Sequence, residues 1–117
     1  MDARAAVGAT GEDAAAAVYR RLGYRVLARN WRCRLGELDL VVVRDGVLVI
    51  CEVKSRRGPA FGGGYEAVTP RKQAKLRALA EIFLRTAGDG PRDLRFDVAS
   101  VDLSRPGGAV QLFDDAF

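Results

Sequence analysis

The most apolar part of the chain lies between Leu38 and Val53, and Asp45-Gly46 divides it into two halves. Residues 41–43 and 47–50 are rich in β-branched side chains, and Asp-Gly readily takes the positive φ angles of a two-residue hairpin turn. The pattern predicts two antiparallel strands whose register follows from the turn: Arg44 faces Val47, Val43 faces Leu48, Val42 faces Val49, Val41 faces Ile50 and Leu40 faces Cys51. Extended outward, that register sets Asp39 opposite Glu52 and Glu37 opposite Lys54. Upstream, Ala14, Ala17, Val18 and Leu22 recur at helical spacing. Thr10 is the expected N-cap, Asp13 stands three residues on as in a capping box, and Gly23 is the expected stop. Residues 1–9 are expected to be disordered, and residues 24–27 to form a short strand. Pro70 opens a second helix that buries Leu76, Leu79, Ala80, Ile82 and Phe83, with Gly88 as its end. Residues 93–101 alternate as a strand, and after Gly107-Gly108 residues 110–113 form a last one. The order helix, three strands, helix, two strands predicts one α/β domain over residues 1–117, a sandwich with a central mixed sheet and helices on both faces. Cover on both faces also accounts for a hairpin that is apolar on both sides.

Side chains alternate along a strand, so the predicted register projects Glu37, Asp39, Glu52 and Lys54 from one face at the open end of the hairpin. Directly opposed side chains have Cβ atoms about 4.5–5.5 Å apart, where like charges repel. A divalent cation relieves that repulsion: Asp39 and Glu52 offer hard oxygen ligands, and Mg²⁺ favours open carboxylate sites completed by water and phosphate. Lys54 would then stabilise charge on the phosphate or orient the attacking water. The plainer reading leaves all four residues solvated, with Lys54 neutralising Glu37. It treats as coincidence that an independently fixed register brings two acids and a lysine together.

Composition narrows the chemistry. The 117 residues hold no histidine, which excludes Ser-His-Asp and Cys-His catalysis and histidine-ligated zinc. Cys33 and Cys51 lack metal-ligand spacing and read as free thiols of a reducing compartment. No apolar run is long enough to span a membrane, so a cytoplasmic location is expected. The formal charge of +4 favours a polyanionic partner. Arg29, Arg32 and Arg34 surround Trp31, where they can hold phosphates or form a solvated edge while Trp31 enters the core. Arg56 and Arg57 open the segment 55–65, whose glycines suit either a loop that closes over substrate or an ordinary surface loop. Arg71, Lys72, Gln73 and Lys75 lie at the start of the second helix, where backbone amides also favour phosphate.

Asp39, a hydrophobic strand, then Glu52-Val53-Lys54 resembles the PD-(D/E)XK nuclease core, with Leu38 where that pattern has proline. The wider set is more specific: Gly11-Glu12, Gly23-Tyr24, Arg29-Asn30-Trp31-Arg32, Gly36 to Asp39, Glu52 to Arg56, Lys72, Arg95-Phe96-Asp97 and the closing Asp115-Ala116-Phe117. Together they resemble the YraN-like family of small bacterial proteins. That uncharacterised family is grouped with the restriction-endonuclease-like fold and is similar to archaeal Holliday-junction resolvases. The resemblance implies a metal-dependent nuclease using Mg²⁺ or Mn²⁺ on DNA, with branched or structured DNA as the expected substrate and a homodimer if that substrate is a four-way junction. It implies that Asp39 and Glu52 hold the metal, that Glu12 joins them, and that Lys54 and Glu37 serve catalysis. Glu12 also has a plainer reading, as an acid favoured in a first helical turn. The alternative function is a non-catalytic nucleic-acid-binding module of the same fold, which would need none of the acids.

Overall fold

The computed structural model describes residues 3–58, 68–87 and 93–117. In chain order the elements are α1 (Ala3–Arg21), β1 (Arg25–Cys33), β2 (Gly36–Arg44), β3 (Val47–Arg56), α2 (Pro70–Ala87), β4 (Asp93–Asp102) and β5 (Ala109–Phe113). Asp45 and Gly46 take φ angles of 51° and 77°, as a two-residue hairpin turn requires. The five pairs from Arg44–Val47 to Leu40–Cys51 follow the predicted register. The sheet order is β1-β2-β3-β4-β5, antiparallel except for the parallel β3–β4 pair that α2 connects.

Each helix covers one face of this five-stranded mixed sheet. Leu76, Leu79, Ala80 and Phe83 of α2 pack on Val41, Val43, Leu48, Ile50, Phe96 and Val98. Ala15, Ala16 and Tyr19 of α1 pack on Leu40, Val42, Val49, Cys51 and Ala99. The arrangement is compatible with the restriction-endonuclease-like fold. Among the described residues, no helix is long and apolar enough to cross a membrane.

The structure corrects several expectations. Helix α1 begins at Ala3, so Thr10 lies inside it and is no N-cap, and residues 3–9 are helical. Of the expected face Ala14 is buried, but Leu22 is 49% exposed, and the rest of the buried face is Gly11, Glu12, Ala15, Ala16 and Tyr19. Close approach selects that face: a Cβ on Gly11 would overlap the Ser55 hydroxyl and come within 3.1 Å of Ser55 Cβ. Strand β1 extends to Cys33 and absorbs the basic segment, whose Trp31 packs edge-on against Phe83 at 5.5 Å. On α2, Leu84 rather than Ile82 joins the core. The expected stop at Gly88, the first two residues and positions 59–65 of the expected loop lie outside the described residues.

The Arg95-Phe96-Asp97 segment is a structural clasp. Asp97 is fully buried and receives the Tyr19 hydroxyl at 2.6 Å, two guanidinium nitrogens of Arg95 at 2.9 Å and the Asp115 amide at 3.0 Å. Every donor it needs is therefore present. Phe117 stacks on Phe96 at 5.2 Å, which docks the closing Asp115-Ala116-Phe117 against the sheet.

Candidate metal and phosphate site

A break in strand alternation shapes the site. Leu38 and Leu40 are two residues apart, yet they pack in opposite cores, whereas in a regular strand they would share a face. The neighbouring strand breaks at the same level: Arg29 pairs with Leu40, Trp31 pairs with Leu38, and Asn30 between them has a φ of 51°. Beyond Leu40–Cys51 the β2–β3 ladder stops, so Asp39–Glu52 and Glu37–Lys54 are not ladder pairs as the extended register implied. Asp39 Oδ2 instead accepts the Val53 backbone N–H at 2.9 Å, a side chain standing in for the missing strand partner.

Asp39 and Glu52 still interact. Burial and then the Glu52 charge push the Asp39 carboxyl up from 3.8 to about 7, against the Val53 N–H, which favours the carboxylate. Glu52 is 6% exposed and lies between two ammonium groups, Lys72 Nζ at 3.5 Å and Lys54 Nζ at 3.7 Å from its Oε1. Glu12, 7% exposed, sits close enough for its charge to be felt at Asp39. Burial raises its proton affinity, while the nearby Asn30 side chain and the Arg29 guanidinium lower it. Glu12 Oε2 and Arg29 Nε are the two buried side-chain polar atoms without a hydrogen-bond partner among the described residues. An orphaned acceptor and an orphaned donor thus occur together beside the acids.

Other predicted residues are placed differently. Glu37 is turned to Arg32, which donates to it at 2.9 Å, and it reaches the acids through its charge alone. Arg29 pairs with Asp13 of α1, so Arg29 and Arg32 are both engaged by carboxylates before any phosphate arrives. Gln73 serves the start of α2: its Nε2 donates to the Val68 carbonyl at 3.0 Å, while Thr69 Oγ1 caps the Lys72 amide at 3.2 Å. Lys75 lies over Gly36, where an added Cβ would come within 2.9 Å of its Cε. Arg34, Arg57 and Arg71 are exposed, and Arg56 accepts the Leu103 amide through its backbone carbonyl at 2.7 Å. Reading the sequence for charge missed Asn30, although asparagine is among the residues that tolerate a positive φ within a strand.

The donor set suits a hard cation: carboxylates of Asp39, Glu52 and Glu12, with one oxygen unpartnered and the repulsion between Asp39 and Glu52 only partly offset. Among the described residues, no three His, Cys, Asp or Glu side chains are grouped as a ready metal cage. A site of this kind relies on water and substrate phosphate for its remaining ligands.

The residues of the site lie within the part of the chain that matches a known family. The profile of the uncharacterised protein family UPF0102 matches residues 11–101. A UPF0102 protein of Streptomyces griseus is 49% identical over 112 residues, covering 94% of this chain and 93% of the relative. One from Acidothermus cellulolyticus is 51% identical over 110 residues, covering 85% and 83%. One from Pelotomaculum thermopropionicum is 45% identical over 118 residues, covering 99% and 98%.

Proposed function

The chain belongs to the uncharacterised protein family UPF0102, and from the geometry of its site we propose that it is a metal-dependent nuclease that hydrolyses phosphodiesters of DNA. The observation that carries the reading is Glu52, buried between the Lys54 and Lys72 ammonium groups and beside Asp39, whose proton affinity it raises. Solvated strand-end residues would not be buried or mutually perturbed in this way. The orphaned Glu12 oxygen supports a cation that completes the charge balance. Asp39, Glu52 and Glu12 would hold Mg²⁺ or Mn²⁺, which when bound neutralises phosphate charge and makes a coordinated water a better nucleophile. Lys54 stands next to Glu52, where its ammonium would meet the phosphate oxygen that gains charge as water attacks phosphorus and the ester P–O bond breaks. Lys72, Lys75, Arg34 and Arg71 would hold the flanking phosphates.

The likeness of the Asp39, Glu52 and Lys54 pattern to archaeal Holliday-junction resolvases favours branched DNA and a homodimer, because two cuts across a four-way junction need two sites. The second reading, a non-catalytic nucleic-acid-binding module, draws on the lack of a ready three-ligand cage among the described residues. The deciding experiment incubates the protein with linear, nicked, flap and four-way DNA in Mg²⁺ or Mn²⁺, with Glu52→Ala as the contamination control. Cleavage by the wild type but not by Glu52→Ala is expected. Salt-sensitive DNA binding without cleavage of any substrate would overturn the enzyme in favour of the binding module.

A further inference from the structure

We propose that the tip of the β1–β2 hairpin opens DNA beside the cleavage site: Leu35 enters the base stack as a wedge, and the Arg32–Glu37 pair receives the base it displaces. The inference rests on the metal-nuclease reading and deepens it, since it names what makes a branch point the preferred substrate. Two-residue hairpin turns are usually built from asparagine, aspartate or glycine, whereas this turn is Arg34-Leu35. Leu35 is 46% exposed there. A single exposed leucine means little by itself, so its surroundings carry the argument. The other exposed large apolar side chains among the described residues are Leu22 and Leu94. Leu22 lies about 15 Å along α1 from Glu12, and Leu94 pairs with Leu48, about 13 Å along β3 from Glu52. Leu35 instead stands among cations. Arg34 is exposed beside it, and a Cβ on Gly36, the next residue, would come within 2.9 Å of Lys75 Cε and 3.3 Å of its Nζ. Lys72 on the same helix touches Glu52, so the start of α2 reaches from the acids to the hairpin. Apolar side chains inserted between base steps unstack them, while neighbouring cations hold the phosphates.

The displaced base has a place to go. Arg32, Cys33, Gly36 and Glu37 line an open cavity of about 260 Å³. Drug-sized ligands fill pockets of about 300–1,000 Å³, so this smaller space suits a single nucleobase. Arg32 and Glu37 face each other across the two strands, and Arg32 Nε donates to Glu37 Oε2 at 2.9 Å. Both side chains are exposed, and that bond uses neither the terminal guanidinium nitrogens nor the second carboxylate oxygen. A guanidinium plane stacks on a base, and a donor beside an acceptor matches the edge of an unpaired one. Glu37 is roughly 7 Å along β2 from Asp39, which makes the received base a neighbour of the phosphate at the acids. Extruding a base costs least where it is already unpaired, and this turns the wedge into a preference for branch points. Arg32 and Glu37, which the metal chemistry leaves unused, acquire a role together.

The test compares a four-way junction with a linear duplex of the same length, both carrying 2-aminopurine, in low salt with chelator so that the DNA stays whole. Affinity and 2-aminopurine fluorescence are read on wild type, Leu35→Ser, Leu35→Met and the double change Arg32→Ala with Glu37→Ala. Wild type is expected to favour the junction and to raise the fluorescence of a base at its branch point. Leu35→Ser is expected to lower the junction-over-duplex affinity ratio about tenfold, the scale of losing one buried leucine side chain, and to abolish the fluorescence rise while melting close to wild type. Leu35→Met keeps an apolar wedge and should retain both signals. The double change removes the pair without altering net charge and should lower the ratio to a similar degree. An unchanged ratio in Leu35→Ser or in the double variant, or a loss in Leu35→Met equal to that in Leu35→Ser, would overturn the assignment. So would a Leu35→Ser protein that melts far below wild type or changes its oligomeric state in sedimentation, since Leu35 would then serve packing or an interface between copies. Salt-sensitive DNA binding by the wild type with no junction preference and no fluorescence rise would overturn the wedge and leave the nuclease reading standing. Wild type that binds neither DNA would remove both.

Discussion

At the scale of single residues, Asp39 links the site to stability. Its carboxyl is raised from 3.8 to about 7 in the folded protein, so between those values the folded state binds more protons than the unfolded one. Stability therefore falls as pH rises through that window, and the loss is complete above it. Asp39→Asn keeps an oxygen to accept the Val53 amide and removes the charge that opposes Glu52. In chelator it is expected to melt above wild type at pH 8, with the difference vanishing near pH 4. A difference that does not vary with pH would refute the repulsion. Metal ligands must be deprotonated, so the Mn²⁺-induced melting shift of the wild type should grow between pH 6 and 8. At ten times Kd, linkage gives about 1.4 kcal/mol, or roughly 5–10 °C for a domain of this size. Asp39→Asn should blunt that shift. Lys54→Ala should keep it while losing turnover, because the carboxylates remain.

At the scale of elements, the contact of α1 with β3 decides where Glu12 goes. Gly11→Ala would gain helix propensity of about 1 kcal/mol, but the new methyl group overlaps the Ser55 hydroxyl. A net loss of about 1–3 kcal/mol is expected, together with weaker Mn²⁺ binding as Glu12 is lifted. Ser55→Ala removes the overlapping oxygen and should restore most of both in the double variant; two additive losses would show that Gly11 matters for another reason. This contact also shows why part of the fold was hidden in the sequence. Helical spacing of apolar residues chose Ala14, Ala17, Val18 and Leu22 for the face of α1, of which Ala14 is buried and Leu22 is exposed. The helix instead buries small residues that allow close approach, and a Tyr19 whose hydroxyl is satisfied by Asp97. The hairpin was legible because its turn residues fix five pairs, and Asp39, Glu52 and Lys54 were legible with it. The register could not be carried past Leu40, since counting by twos assumes an unbroken strand and the alternation of β2 breaks between Leu38 and Leu40. Strand β1 looked too short because its arginines obscure the alternation, although carboxylates of α1 and β2 pair with two of them.

At the scale of the molecule, the distribution of charge matters more than its net value of +4. Arg29, Arg32 and Arg95 are engaged by Asp13, Glu37 and Asp97. Arg71 and Lys75 are exposed on the first turns of α2, Arg34 is exposed in the β1–β2 turn beside Gly36, and Lys75 bridges the two places. Lys72 on the same helix touches Glu52, so this rim borders the acids. If the rim holds the strand that is cut, each lost phosphate contact flattens the dependence of log affinity on log salt by about 0.9 for duplex DNA. The triple change of Arg34, Arg71 and Lys75 to alanine should reduce that slope by up to roughly 3. A control triple of Arg20, Arg21 and Arg85 to alanine removes the same net charge from surfaces remote from the rim. Arg20 and Arg21 close α1, about 12–14 Å along the helix from Glu12, and Arg85 lies about 20 Å along α2 from Lys72. The control should leave the slope near the wild-type value. Equal flattening by both triples would mean that DNA is held by diffuse charge and not at the rim. Wild-type affinity that stays flat between low and moderate salt would remove the nucleic-acid partner, and with it the reason for a basic border around these carboxylates.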